Sequence, residues 1–298
     1  MERTSNGDGG SQEGQRPLVA IVVVYRQKVA AARAVASLLD GTRQPQRLLV
    51  VDHSPESDGE LQLPVAPGLQ LLRNAANPGF SAGVNLAAQL APPGADFLLL
   101  NPDATLGRGT IEHLDRFMAS RPRVAAAAPV IDFDPPRPRP WFEGGRVRAW
   151  LGDLRHAPAR ADGECEFVTG AAMWIRREAW DEVGTFDEGY FLYCEDVDWC
   201  WRARHAGWRV AVAVSDDPQQ RARHLVSASI ETHDEGDALK TYHIARGTLR
   251  VLVRHAGWLP LICFGYLRLL LIGLRVPNRA AWFRGILGRS FASAETRS

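Results

Sequence analysis

Several common signals are missing from this sequence. The first apolar run, "PLVAIVVVY" (Pro17 to Tyr25), is followed by "RQKVAAAR" with no glycine, so the dinucleotide fingerprint is absent and hydride transfer with a nicotinamide cofactor is not expected. A Walker loop is missing too, as is the Gly-rich basic loop that nucleotidyltransferases carry after their first strand. The four cysteines (Cys165, Cys194, Cys200, Cys263) form no Cys-x-x-Cys pair, and nothing before residue 17 resembles a signal peptide. A reducing, cytosolic compartment and thiols used as core filler are therefore expected. Only one apolar run approaches the length of a membrane span, which disfavours a polymer synthase with a bundle of transmembrane helices. Acids are scarce at the C-terminal end: residues 246–298 hold nine arginines and a single acid, Glu295, in a chain of net charge +1. That asymmetry suggests a basic tail meeting an anionic surface; no nucleic-acid partner is expected.

What is present reads as a globular α/β chain. With 298 residues, 46% apolar and 23% charged, it can form one large domain or two fused lobes. Residues 1–16, rich in Gly, Ser, Gln and Glu, read as a disordered leader. Short apolar runs then alternate with helical segments. "PLVAIVVVY" leads into "RQKVAAARAVASLLDG", "RLLVVDHSPESDG" ends in Asp52 and a polar turn, "LQLLRNA" opens the loop "NPGFSAGVN", and the fourth run, "ADFLLLNPDATL", ends in Asn101-Pro102-Asp103. Such alternation implies a mainly parallel sheet. Ligands of open sheets sit at the carboxyl ends of strands, so Tyr25, Asp52, the stretch from Asn77 to Asn85, and Asp103 are expected around one cleft. Asp52 suits a base or ribose. Asp103 is placed to hold a divalent cation, Mg²⁺ or Mn²⁺, together with the phosphates of a diphosphate.

A second cluster of acids, Glu195, Asp196 and Asp198, lies in "YFLYCEDVDWCWR". Val197, Cys200, Trp201 and Arg204 share one helical face and Gly207 is a natural stop, so these acids begin a helix. Taken alone, they suit either the positive end of the helix dipole or a catalytic role.

The stretches "VVVYRQ", "VVDHSPESDG", "NPGFSAGVN", "LLLNPDATL", the block from "VTGAAMWIRREAW" through "GYFLYCEDVDWCWR", and "RHLVSAS" occur in the order seen in glycosyltransferase family 2. From about Leu18 to Arg254 the chain resembles the bacterial rhamnosyltransferase-like members of that family, most specifically between Val168 and Val210. The resemblance implies a GT-A fold, a mainly parallel Rossmann-like sheet flanked by helices, and an inverting, metal-dependent transfer from a nucleoside diphosphate sugar. It implies that Asp52 contacts the nucleobase with Tyr25 beside it. It also implies that Asn77, Gly79, Phe80 and Asn85 form the sugar-nucleotide loop, where Gly79 and Gly83 allow close backbone approach. Asp103 corresponds to the last acid of the metal-binding Asp-x-Asp, whose first acid is Asn101 here. His224 completes the metal or diphosphate site, although the glycine usual after it is Ser227. The family pattern makes Asp196 the general base and has Glu195 orient the acceptor or the base. Gly170 and Asp187 then border the acceptor, while Asp198 is structural and Arg202 pairs with an acid; Trp174, Trp199 and Trp201 are either sugar-stacking platforms or core, with core preferred.

Four segments are expected: the leader (1–16), a nucleotide-sugar-binding half (17–104), an acceptor-binding and catalytic half (105–232), and a helical, basic and apolar extension (233–298). The run "WLPLICFGYLRLLLIGLRV" within the extension can lie in a membrane interface with Arg268, Arg275, Arg279, Arg284 and Arg289 toward anionic headgroups, can pack as a buried helix, or can span. The first option is preferred and makes the protein peripheral on the inner face of the plasma membrane. The expected acceptor is a glycan or a polyprenyl-diphosphate-linked sugar, and the first donor is dTDP-rhamnose. A UDP-hexose or UDP-galactofuranose donor, or a sugar-nucleotide-binding protein without turnover, is the alternative.

Overall fold

The structure is a computed structural model that describes residues 16–148, 153–225, 233–255 and 266–288. Its centre is a seven-stranded sheet. In spatial order the strands are β11 (Arg209–Ala213), β6 (Val124–Pro129), β10 (Ala172–Ile175), β4 (Asp96–Leu100), β1 (Leu18–Val24), β2 (Arg47–Asp52) and β3 (Leu69–Arg73). All neighbours are parallel except β10, which runs antiparallel to both β4 and β6. Every residue of β1, β4, β6 and β10 is buried, as expected of strands covered on both faces and composed largely of Val, Ile, Leu and Ala. The alanines of β6 make room for a large partner: Trp174 on β10 lies opposite Ala127 and is fully buried, its indole N–H donating to Asp96 at 3.0 Å.

Helices α1 (Lys28–Leu39), α2 (Phe80–Gln89), α3 (Thr110–Ala119), α4 (Arg177–Val183) and α5 (Glu195–His205) flank the sheet. β4 ends just before Asn101-Pro102-Asp103, as expected, and beyond that turn β5 (Ala104–Leu106) joins a smaller sheet with β12 (Ala222–His224) and β7 (Ile131–Phe133). A hairpin of β8 (Gly145–Arg148) and β9 (Asp153–His156) completes the strands. The seven-stranded sheet draws strands from both sides of residue 104, so the two expected halves share one core.

Beyond them lie α6 (His233–His255), α7 (Tyr266–Gly273) and α8 (Arg279–Ile286). These three helices enclose a small separate core of Ala245, Leu252, Leu269, Trp282 and Ile286. Among the described residues no helix is long and apolar enough to cross a membrane. The first part of "WLPLICFGYLRLLLIGLRV", up to residue 265, lies outside the described residues. In the described part, Arg268 is partly exposed and bonds to Asp153 at 3.1 Å, and Leu269 is buried, whereas Leu267, Leu271 and Leu274 are exposed. Trp174 and Trp199 are core, and Trp201 is half-buried against His205 and His255. Cys165, Cys194 and Cys200 are free thiols; Cys263 lies outside the described residues.

Candidate active site

The carboxyl ends of the central strands open into a cleft of about 1010 Å³. Parallel β1, β2 and β4 deliver Tyr25, His53 and Asn101 there. The chain after β3 adds Asn77, Gly79 and Phe80, and the turn after β4 adds Asp103. Gly170, Glu195, Asp196 and His224 complete the set of expected residues that line it.

The acid pair sits on a strained turn. Tyr193 and Cys194 both adopt left-handed backbone (φ 67° and 71°), which non-glycine residues adopt at a cost of about 1–3 kcal/mol each where surrounding structure holds them. The holding element is α6: a Cβ on Gly247 would lie 2.8 Å from the Tyr193 carbonyl oxygen and 3.0 Å from Cys194 Cβ. The turn starts α5, whose helix and stop at Gly207 follow the sequence expectation. Its buried face, however, includes Trp199 and Ala203, with Trp201 and Arg204 at the margin. Asp196 accepts the Gly170 N–H at 2.9 Å through Oδ2 and the Val197 N–H at 2.7 Å through Oδ1. Burial raises the Asp196 pKa, with those N–H groups opposing. Glu195 is 6% exposed, and its Oε2 has no partner among the described residues. Burial and the Asp196 charge push its pKa well up. The two titrate as a pair, and the deeper Glu195 is the better home for a shared proton, which leaves the charge on Asp196.

Asp198, in the same turn, has a different environment. It is fully buried and accepts from Arg202 Nε (2.9 Å), His255 Nε2 (2.8 Å) and the Tyr190 hydroxyl (3.3 Å), with Arg254 at 3.4 Å. Burial alone would raise its pKa, but the His255 and Arg202 bonds outweigh burial and hold it below the usual carboxylate value. Arg202 thus pairs with an acid as expected, and it also donates to the Val183 and Thr185 carbonyls at 2.8 Å each.

At another point of the cleft the small sheet unites residues far apart in sequence. The β12 register sets His224 opposite Ala104, and Leu225 N–H donates to the Asp103 carbonyl at 2.8 Å. His224 Nε2 then lies 3.2 Å from Asp103 Oδ1, while its buried Nδ1 has no partner among the described residues. No group of three or more metal-ligating side chains occurs among the described residues. One carboxylate and one imidazole with an orphaned nitrogen nevertheless fit a hard cation that draws its remaining ligands from a diphosphate. Trp141 stacks on His224 (4.3 Å, 9°) and meets His156 edge-on (4.9 Å).

Three expected contacts have other partners. Asp187 does not line the cleft; Arg250 and Arg254 hold its carboxylate at 2.8 and 2.7 Å, because α6 passes directly beside its loop. Asn85 also lies outside the cleft lining. Its amide donates to the Phe186 carbonyl (3.0 Å) and Glu188 (2.9 Å) and so braces the loop before the acid pair. Asp52 is completely buried beneath the floor, with Oδ1 accepting Ser54 N–H at 2.9 Å and Oδ2 unpartnered among the described residues. Gly79 lines the cleft, but its φ of +100° and the Phe191 carbonyl, 2.5 Å from where a Cβ would sit, require the glycine; Gly83 is packed under His53 and Val23.

Sequence reasoning passed over His53, Trp141 and His156. His53 Nδ1 donates to the Asn74 carbonyl (2.8 Å) and its buried Nε2 has no partner among the described residues; only adjacency to Asp52 marked it. His156 sits at the mouth of the cleft, and although part of its ring meets solvent, crowding lowers its pKa while the Asp196 charge opposes that shift. "LGDLRHAP" carries no signal for it.

The central sheet, with its reversed β10 and the cleft at the carboxyl ends, is the GT-A architecture. A structure of GalNAc-T7 with UDP, GalNAc and Mn²⁺ aligns at TM-score 0.64 and 15% identity over 94% of this chain, which spans only 56% of that longer one. A Pyrobaculum calidifontis mannosyltransferase with GDP-Man and Mn²⁺ aligns at 0.58 and 16% identity, over 95% and 79% of the two chains. The profile of glycosyl transferase family group 2 matches residues 97–288, and the chain belongs to that family. A relative from Mycobacterium tuberculosis, N-acetylglucosaminyl-diphospho-decaprenol L-rhamnosyltransferase, is 27% identical over 270 residues, 81% of this chain and 86% of that protein.

Proposed function

We propose that this glycosyltransferase is inverting and metal-dependent, and that it moves one sugar, first L-rhamnose from dTDP-rhamnose, onto a polyprenyl-diphosphate-linked sugar. The observation that carries this reading is the opening of one cleft onto both the exposed edge of the Asp196 carboxylate and the Asp103–His224 pair. The name of the Mycobacterium tuberculosis relative supports the donor sugar and the lipid diphosphate.

In this reading the acceptor hydroxyl attacks the anomeric carbon as the bond from that carbon to the diphosphate oxygen breaks, and the configuration inverts. Asp196 takes the hydroxyl proton. Its raised pKa makes it a stronger base than an exposed carboxylate, and the Gly170 and Val197 N–H groups fix its orientation. Glu195, holding the shared proton, keeps that base charged. Asp103 and His224 would hold the divalent cation, which neutralises charge on the departing diphosphate. Tyr25, Asn77, Gly79, Phe80 and Asn101 line the donor side, with Asp52 acting through the floor, and Gly170 borders the acceptor. Residues 17–104 serve as the donor half, 105–232 as the acceptor half and 233–298 as the extension. Exposed Leu267, Leu271, Leu274 and Leu287 beside exposed Arg275, Arg279 and Arg284 support peripheral contact with an anionic membrane.

A panel of nucleotide sugars, with Mg²⁺ or Mn²⁺ and a synthetic sugar-diphospho-prenol, tests this function. Acceptor-dependent release of dTDP from dTDP-rhamnose is expected. Release only from another donor overturns the donor assignment, and no release from any donor overturns the function.

A further inference from the structure

Helix α6 turns a line of basic side chains toward the cleft. Lys240, His243, Arg246 and Arg250 all line it and fall on one face at helical spacing. They are not equivalent. Arg250 is committed to Asp187 at 2.8 Å. His243 is stacked on Phe191 at 5.0 Å, and burial with the nearby Arg246 charge pushes its pKa down to about 4, so it is neutral at physiological pH. Lys240 has no polar partner among the described residues, and Arg246 has only the Tyr242 hydroxyl at 3.5 Å. Two cations thus face the cleft without a counter-charge.

Their position selects the ligand. α6 packs on the Tyr190–Cys194 turn that presents Asp196, through Gly247 against Tyr193 and Cys194 and through His243 on Phe191. The cation site fitted by Asp103 and His224 is built on β5 and β12 instead. The opposite face of α6, at Ala245 and Leu252, carries α7 and α8, whose outer surface exposes Leu267, Leu271, Leu274 and Leu287. A ligand whose hydroxyl reaches Asp196, whose anionic group lies on α6 and whose tail is apolar matches this sequence of surfaces.

We infer that Lys240 and Arg246 form an anionic subsite for the diphosphate of a prenyl-diphosphate-linked acceptor, separate from the subsite for the donor's diphosphate. This inference rests on the transferase reading of the cleft and adds to it the residues that select the acceptor.

Isothermal titration of the full chain with citronellyl diphosphate, in saturating dTDP and Mn²⁺, tests it. Wild type is expected to bind. The Lys240→Gln/Arg246→Gln protein is expected to bind about tenfold or more weakly, the loss of two charge-assisted contacts, whereas Lys240→Arg/Arg246→Lys stays close to wild type. Affinity for dTDP with Mn²⁺ alone is expected to change by less than about twofold. If the double variant loses its circular-dichroism spectrum, Arg246→Gln alone is the test, since this side chain is exposed, and at least about threefold weakening is expected. Absence of citronellyl diphosphate binding to wild type, unchanged affinity in the variants, or an equal loss of dTDP affinity each overturns the inference. Because the readout is binding, a protein that transfers sugar with binding indifferent to Lys240 and Arg246 refutes the subsite alone. One that binds through them and transfers nothing refutes the transferase reading alone.

Discussion

The two sides of the first turn of α5 carry acids of opposite character. Asp196 faces the cleft with backbone N–H groups as its only hydrogen-bond donors among the described residues, next to a Glu195 whose Oε2 has no partner among them. Asp198 faces α6, surrounded by Arg202, His255, Arg254 and Tyr190. The first side has carboxyl pKa values raised by burial, and the second has one lowered by its partners. Burial is common to both; cations decide the sign. A fold can therefore shift two neighbouring carboxyls in opposite directions by hydrogen-bonding basic side chains to only one of them.

The largest effect expected on this contrast comes from Asp198→Ala, which removes the fully buried acceptor of Arg202 and His255 and should lower stability by about 3 kcal/mol. Denaturant titration measures it. Gly247→Ala comes next. Its Cβ would press on the Tyr193 carbonyl and the Cys194 side chain, costing about 1–3 kcal/mol and disturbing the turn that aims Asp196; unfolding midpoint and kcat are the readouts. The smallest effect concerns pH. Glu195 has a raised folded pKa, so its contribution to stability is present at acid pH below the unfolded value and is lost as pH rises through the folded one. Asp198 has a lowered folded pKa, so its contribution is present above the unfolded value and is lost as pH falls through the folded one. Glu195→Gln should therefore gain relative to wild type on the alkaline side, and Asp198→Asn should lose least on the acid side. Parallel curves for the two would erase the distinction.

Much of this fold was legible because buried parallel strands are written as apolar runs: β1, β2 and β4 lie where "LVAIVVV", "RLLVVD" and "DFLLL" stand, and the half-buried edge strand β3 lies on the alternating "LQLLR". The strand end at Asn101-Pro102-Asp103 was legible as well, but the apolar pattern that resumes at once in β5 gave no sign of belonging to another sheet. Gathering Asp103, Gly170, Asp196 and His224 into one cleft rested on motif order. The partners of Asp187, Asn85 and Arg268 were not readable, since each is set by an element distant in sequence: α6, the loop at Phe186, and Asp153. For the same reason nothing in the sequence pointed to His156, which a short hairpin swings to the cleft mouth.

The most direct test of the central claim, that Asp196 activates the acceptor while Asp103 serves the donor's diphosphate, compares Asp196→Asn with wild type for Mn²⁺-dependent nucleotide binding and for sugar transfer. Asp196→Asn is expected to keep wild-type affinity for dTDP with Mn²⁺ and to lose transfer by about 10²–10⁴-fold, the usual worth of a general base. Undiminished transfer by Asp196→Asn would contradict the assignment.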